Sequence, residues 1–281
     1  MNKGIDISEH NGTIDFEKVK NSGVDFVIIR IGWIGNKENH TIDKKFNEYY
    51  EKAKQVGLKI GFYVYSYCKS KETLRNGTNW LIDKIEGKTF DLPIFLDLED
   101  SSIIECGKEN LTNQAIQFCT ILQNLGYKSG IYANKDWFLN KLNINKLLDY
   151  KIWLAEWNGQ ENHTLGFKVD LWQYSSDGEI NGISGRVDLN KCLCKCTESN
   201  DNQESSKNNN GVDEEVKVYQ NGSTPETVYS DVNCTNKIGS LNKYEQCDCL
   251  GIFQNRAIVR YKIDNQNNYK VGFVKYLGGV K

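Results

Sequence analysis

The sequence predicts an α/β chain: a parallel (β/α) barrel with some helices reduced to loops, followed by a small all-β barrel. Three observations predict it. Eight short β-branched runs alternate with longer amphipathic segments over the first part of the 281 residues. A polar stretch without any aromatic residue interrupts the chain after residue 196. Beyond it come only short alternating runs, and all six tryptophans lie before it. A repeated strand and helix rhythm calls for parallel strands joined by crossover helices.

The strands come in the order GIDIS, DFVIIRIG, KIGFYVYSY, PIFLDLE, KSGIYAN, KIWLAEWN, VDLWQYS and RVDLN. Helical patterns lie between several of them, over 43–56, 73–85 and 112–125, with Thr112 as an N-cap and Gly126 as a stop. A complete barrel of this type takes about 250 residues. Eight strands ending by Asn190 therefore imply trimmed helices, and the gap from Trp157 to Val169 is too short for one.

Residues 197–215 read TESNDNQESSKNNNGVDEE, with six acids against the single Lys207. Such a segment is a flexible, self-repelling linker. It separates a first domain, 1–196, from a second, 216–281. In the second, VKVYQ, TVYSD, KIGSL, AIVRYKI and YKVGFVKY are divided by NGST, DNQNN and LGGV, the pattern of a small all-β barrel.

A net charge of -2 gives no reason to expect a nucleic acid or an anionic membrane as partner. No run approaches the roughly 18 apolar residues of a spanning helix. The opening MNKGIDISEHNG has one Lys and no apolar segment, so a soluble chain made in the cytoplasm without a signal peptide is expected. Reduced thiols are then the default for the nine cysteines, with a disulfide formed after release from the cell left open. Cys192-Leu-Cys194-Lys-Cys196 and Cys247-Asp-Cys249 lack the C-x-x-C spacing of a zinc site, and His10, His40 and His163 show no clustering. Neither a metal nor a cofactor is called for.

Period-two alternation assigns one face of each strand to the barrel interior. It turns Asp6 and Ser8 inward from the first strand, Arg30 from the second, Tyr63 and Tyr65 from the third, and Phe95, Asp97 and Glu99 from the fourth. Tyr132, Trp153, Trp157, Gln173 and Asp188 follow from the later strands. Four carboxylates, Asp6, Asp97, Glu99 and Asp188, thus converge at the strand ends where such barrels carry out chemistry. Like charges brought together push at least one carboxyl toward its protonated form, and a proton held near neutral pH is what a general acid needs. A purely structural use, capping or turn-making, stands beside this for Asp6 and Asp188.

Glycoside cleavage uses such a pair, one acid to protonate the leaving oxygen and one anion facing the oxocarbenium-like centre. Residues i and i+2 of a strand lie about 7 Å apart at Cα, compatible with the roughly 5 to 5.5 Å carboxyl spacing of retaining enzymes. Tyr63, Tyr65, Tyr132 and Trp157 would offer flat walls for sugar rings, with Arg30, Gln173 and Tyr174 as further substrate contacts. A four-carboxylate cation site and a catalytically dead glycan-binding barrel are the rival readings. A chitinase-type D-x-x-D-x-D-x-E series is missing its earlier acids, one of whose positions is Phe95 here.

Taken together, GIDIS, GFYVYSY, FLDLED, GIYAN, LAEW, LWQYS and GRVDLN resemble glycoside hydrolase family 25, the Chalaropsis-type lysozymes, over nearly the whole first domain. The resemblance implies a TIM-like barrel that hydrolyses the β-1,4 bond between N-acetylmuramic acid and N-acetylglucosamine in peptidoglycan. It implies Glu99 as proton donor, Asp97 as its anionic partner, and Asp6 and Asp188 as residues that hold the pair or the substrate. Arg30-Ile31-Gly32-Trp33 and Glu156 depart from the family's usual residues without touching the four acids. Direct attack by Asp97 and assistance by the substrate's own acetamido group both stay open, with assistance preferred. Ile238-Gly239-Ser240-Leu241 and Lys270-Val271-Gly272-Phe273-Val274 resemble bacterial SH3-like wall-binding domains. Nine Lys and Arg against five Asp and Glu give that domain a net charge near +4, suited to an anionic wall ligand. A catalytic domain, linker and binder without a signal peptide resembles a bacteriophage endolysin, with a bacterial autolysin as alternative.

Overall fold

Alternating β-branched runs form the wall of the first unit. In chain order they are β1 (Asn2–Ile7), β2 (Phe26–Ile34), the two-residue β3 (Thr41–Ile42), β4 (Lys59–Ser66), β5 (Ile94–Asp97), β6 (Ser129–Asn134), β7 (Lys151–Ala155), β8 (Leu171–Gly178) and β9 (Val187–Cys192). The computed structural model describes residues 2–35, 39–193, 217–229, 234–253, 256–262 and 269–275. The chain divides into two compact units, Met1–Asp201 and Asn202–Lys281. The expected linker, 197–215, lies outside the described residues.

All eight expected strands are present and close on themselves in the order β1-β2-β4-β5-β6-β7-β8-β9, with β9 returning to β1 and β3 as a short appendage on β2. The barrel is parallel except at one place. β9 runs antiparallel to both β8 and β1, which corrects the all-parallel expectation. Its cause is the short connection from β8 to β9, which contains no helix among residues 179–186. A parallel return needs a crossover of a dozen residues or more, whereas a short loop can only reverse the strand. Reversal places the start of β9 at the mouth, so Asp188 pairs directly with Asp6 across the seam.

Among the described residues four α-helices cover the strands: α1 (Phe16–Asn21), α2 (Phe46–Gln55), α3 (Lys71–Ile85) and α4 (Lys108–Asn124). The first was not expected; Asp15 caps it, its Oδ1 accepting from Lys18 N at 3.1 Å. The fourth begins four residues earlier than read, behind Gly107, so Thr112 is an interior residue whose hydroxyl donates to Lys108 O at 2.7 Å. A buried Thr that bonds back within its own helix carries the same local signature as a cap. As expected, no helix spans Trp157 to Val169. Among the described residues no helix is long and apolar enough to cross a membrane.

Two cores result from the alternation. Ile5, Ile7, Val27, Ile29, Leu96, Leu98 and Ile131 point outward and pack with helical Leu74, Leu81, Leu111 and Phe118. Phe26, Ile28, Phe95, Tyr132, Trp153 and Leu171 fill the interior, with Tyr63 against them. Gly130 is required by this filling, because a Cβ there would lie 2.3 Å from Lys151 O and 2.7 Å from the Phe95 ring. Gly32 answers a different crowding: a Cβ would stand 2.0 Å from Thr41 O, where β3 crosses a bulge in β2.

Reduced thiols are the default, but Cys192 at the end of β9 is disulfide-bonded. Cys68, Cys106 and Cys119 are free thiols.

The second unit is all-β: β10 (Lys217–Gln220), β11 (Glu226–Tyr229), β12 (Lys237–Leu241), β13 (Gln246–Phe253), β14 (Arg256–Lys262) and β15 (Tyr269–Val274), in the antiparallel order β10-β13-β14-β15-β11-β12. Tyr219, Val228, Leu241, Val259, Tyr261 and Val274 form its core. Strand β13 was missed in the sequence, since QCDCLGIF begins with polar and cysteine residues rather than a β-branched run.

Candidate active site

Three strands, β1, β5 and β9, deliver the four acids to one end of the barrel. Asp97 is the last residue of β5, only 3% exposed, and Glu99 follows two residues later at the exposed lip. Leu98 between them is buried in the outer core, so the chain keeps its alternation past the formal end of the strand and carries Glu99 to the same side as Asp97. Asp6 is 5% exposed beneath them, and Asp188 faces it from β9.

Electrostatics tie the four together. Burial pushes Asp97 well above the usual carboxylate range, with the charges of Glu99 and Asp6 adding to it and Arg30 opposing. Burial followed by Asp188 raises Asp6 as well, against two hydrogen bonds that lower it. Glu99 is raised by partial desolvation, then by Asp188 and Asp100. Asp188 is raised by burial, while a hydrogen bond from Asp6 acts in the other direction. The site therefore holds protons at a pH where isolated carboxyls would be charged.

Hydrogen bonds position the pieces. Gln173 Nε2 and Asn190 Nδ2 both donate to Asp6 Oδ2, at 2.9 and 2.7 Å. Tyr132 Oη and Trp157 Nε1 donate to Gln173 Oε1 at 3.0 and 3.2 Å, and Trp153 Nε1 to Asn190 Oδ1 at 2.8 Å. Tyr65 Oη donates to Asp100 Oδ2 at 3.1 Å, linking the third strand's aromatic to the loop that follows Glu99. Among the described residues Asp97 Oδ1 has no hydrogen-bond partner, although it is buried. An acceptor left in that state costs about 1–3 kcal/mol.

The other expected contacts divide into three groups. Trp157, 59% exposed, and the half-buried Tyr63 and Tyr65 border the mouth. Tyr132, by contrast, is sealed with its ring 4.5 Å from Trp153, and Gln173 is buried; both form the floor that supports Asp6. Arg30 reaches the mouth, but its Nε donates to buried Asp43 at 2.8 Å and its Nη2 pairs with Glu9 at 3.4 Å. Tyr174 is a correction. It follows Gln173 and so points the opposite way, outside the barrel, 5.8 Å from Trp172 with Lys191 Nζ 4.9 Å above its ring. Two residues that the sequence reading left out are buried polar groups: Asn190, beneath Asp6, and Asp43, which holds Arg30.

Comparison with known proteins places this geometry. The model for glycosyl hydrolases family 25 matches residues 5–183. The chain belongs to that family. The match includes Asp6, Asp97 and Glu99 and stops short of Asp188, whose place rests on its pairing with Asp6. A lysozyme called autolytic, from Clostridium acetobutylicum, is 30% identical over 192 residues, 67% of this chain. This family 25 chain spans 55% of that relative's length. Lysozyme M1 of Streptomyces globisporus is 27% identical over 209 residues, 67% of each chain. The catalytic domain of endolysin ply40, from bacteriophage P40 of Listeria monocytogenes, superposes with a TM-score of 0.61 at 25% identity, covering 70% of this chain and 95% of that one. The Clostridium perfringens spore cortex lytic enzyme SleM superposes over 98% of both chains with a TM-score of 0.60, a likeness of fold alone at 16% identity.

Proposed function

We propose that this family 25 chain is an N-acetylmuramidase, a lysozyme that hydrolyses the β-1,4 bond between N-acetylmuramic acid and N-acetylglucosamine in peptidoglycan. The carrying observation is the split environment of two carboxyls on one strand end. Asp97 lies sealed beneath the mouth and Glu99 stands open at its lip. Only the open one can meet a leaving oxygen, so Glu99 is the proton donor. Asp97 faces the sugar from below, and Asp6 and Asp188 set the charge around both. Trp157, Tyr63 and Tyr65 line the path of the glycan.

Asp97 supports the substrate-assisted route. On that route an acetamido N–H would pair with Asp97, orient the carbonyl oxygen of that group toward C1 and favour the charged form of Asp97 as it binds. Water then opens the resulting oxazoline, with Glu99 now acting as base. Digestion of purified peptidoglycan tests the activity. After borohydride reduction, mass spectrometry should find muramitol at the new reducing ends; glucosaminitol, or no release, would refute the muramidase reading.

For the second unit the proposed role is that of a wall-binding domain of SH3-like type, joined by the 197–215 linker to the catalytic domain 1–196. Its basic balance supports an anionic wall ligand. Tethering raises the local concentration of glycan at the active site without altering the chemistry. Truncation after residue 197 should then spare hydrolysis of soluble glycan and weaken lysis of whole cells; equal loss on both would refute it. In life the chain fits an endolysin held in the host cytoplasm until the membrane opens, and the same activity would serve an autolysin.

A further inference from the structure

The hydrogen bonds beneath the acids contain more information than their number suggests. An indole N–H can only donate. Trp153 Nε1 points at Asn190 and Trp157 Nε1 at Gln173, so each of these amides must turn its oxygen toward the indole and its NH₂ away. Tyr132 Oη adds a second donor on Gln173 Oε1. Both NH₂ groups then meet the same atom, Asp6 Oδ2. An sp² oxygen has two lone pairs, and both are taken.

We infer that Asn190 and Gln173 are positioning residues, which together hold Asp6 Oδ2 as an acceptor and leave Oδ1 as the oxygen from which Asp6 gives a proton to Asp188. The two carboxyls are cross-strand partners and share a hydrogen bond. With Oδ2 occupied, the shared proton has one seat on Asp6, directed across the seam. The groups facing this pair from the surrounding strands are Asp97 and Glu99 above, Tyr63 and Tyr132 beside it, and Arg30, itself tied to Asp43 and Glu9. Resting on the muramidase reading, the consequence is that Asp188 stays the charged member of the pair and its charge helps Glu99 retain the proton it must donate.

Carboxyl ¹³C NMR of the full chain, labelled at aspartate and assigned with D6N and D188N, tests this directly. In Asn190→Ala the anion of Asp6 loses one donor, so the upper ionisation of the Asp6 and Asp188 pair should move up by about one to two units. A simple packing role for Asn190 would lower the melting temperature and leave that titration where it was, which would overturn the proposal. Should Asn190→Ala fail to fold, the double variant Tyr132→Phe with Trp157→Phe removes both donors from Gln173 Oε1. The amide then loses its fixed orientation, and the pair's upper ionisation should shift by at least about half a unit; an unchanged titration again overturns the proposal. Titration does not depend on turnover, so an inactive wild-type chain would count against the muramidase reading alone.

Discussion

Replacing Asp97 by Asn should make the protein more stable and nearly inactive. Asp97 is fully enclosed, its Oδ1 has no hydrogen-bond partner among the described residues, and Glu99 and Asp6 press on it with like charge. Its carboxyl therefore stays protonated to a higher pH in the folded chain than in the unfolded one. Between those two values the folded chain holds the extra proton, so stability declines as pH rises. Above them the cost is fully present, and it is absent below the ordinary aspartate range, where both states are protonated. An amide has no charge to bury. Relief of a buried charge without a hydrogen-bond partner is worth at least about 1–3 kcal/mol. In a unit near two hundred residues each of these corresponds to about 2–4 °C in melting temperature. Urea unfolding of wild type and Asp97→Asn, followed by tryptophan fluorescence at pH 4 and pH 7, reads the effect on the first unit, which contains all six tryptophans. The variant should gain at pH 7 and lose most of its advantage at pH 4. A gain of equal size at both values, or a loss at pH 7, would show that the carboxylate carries no burial cost and would sink the electrostatic account of the site. Hydrolysis should fall at least 10²-fold in the same variant, the loss expected when a group facing the reacting centre is neutralised.

Glu99→Gln keeps the size of the side chain and removes the transferable proton, so muropeptide release should drop 10²–10⁴-fold with little change in melting temperature; an unchanged rate would move the acid to another residue. Trp157→Ala should raise KM about fivefold or more, because an exposed ring at the mouth gives its face to the sugar, whereas Tyr174→Phe should leave both kcat and KM within about twofold, as expected for a surface change outside the site.

How much of the site was legible depends on how far apart its parts lie in the chain. Asp97 and Glu99 are neighbours on one strand, and D-L-E after a buried run announces their shared side by alternation alone. The same alternation correctly turned Ile5, Ile7, Val187 and Leu189 away from the interior. It also contained the answer for Tyr174, which cannot share a face with Gln173 one residue earlier, and the motif LWQYS obscured that. Asn190 was out of reach for a different reason. Its importance comes from contacts with Asp6 at a separation of 184 residues and Trp153 at 37, and a lone Asn in a strand has no local pattern that reports either.

By itself the sequence determined the barrel's strands, the division into an aromatic-rich first part and an all-β second part, and which acids face inward, because side-chain direction in a strand is a local property with a period of two. Only the tertiary structure decided that β9 runs antiparallel, that Arg30 is bound to Asp43, and that one oxygen of Asp6 is held by two amides. Those facts depend on which strands close the barrel and on which buried donors find acceptors across it. Such pairings are settled by the need to satisfy polar groups in a sealed interior, a condition on the whole fold that no short stretch of residues can express.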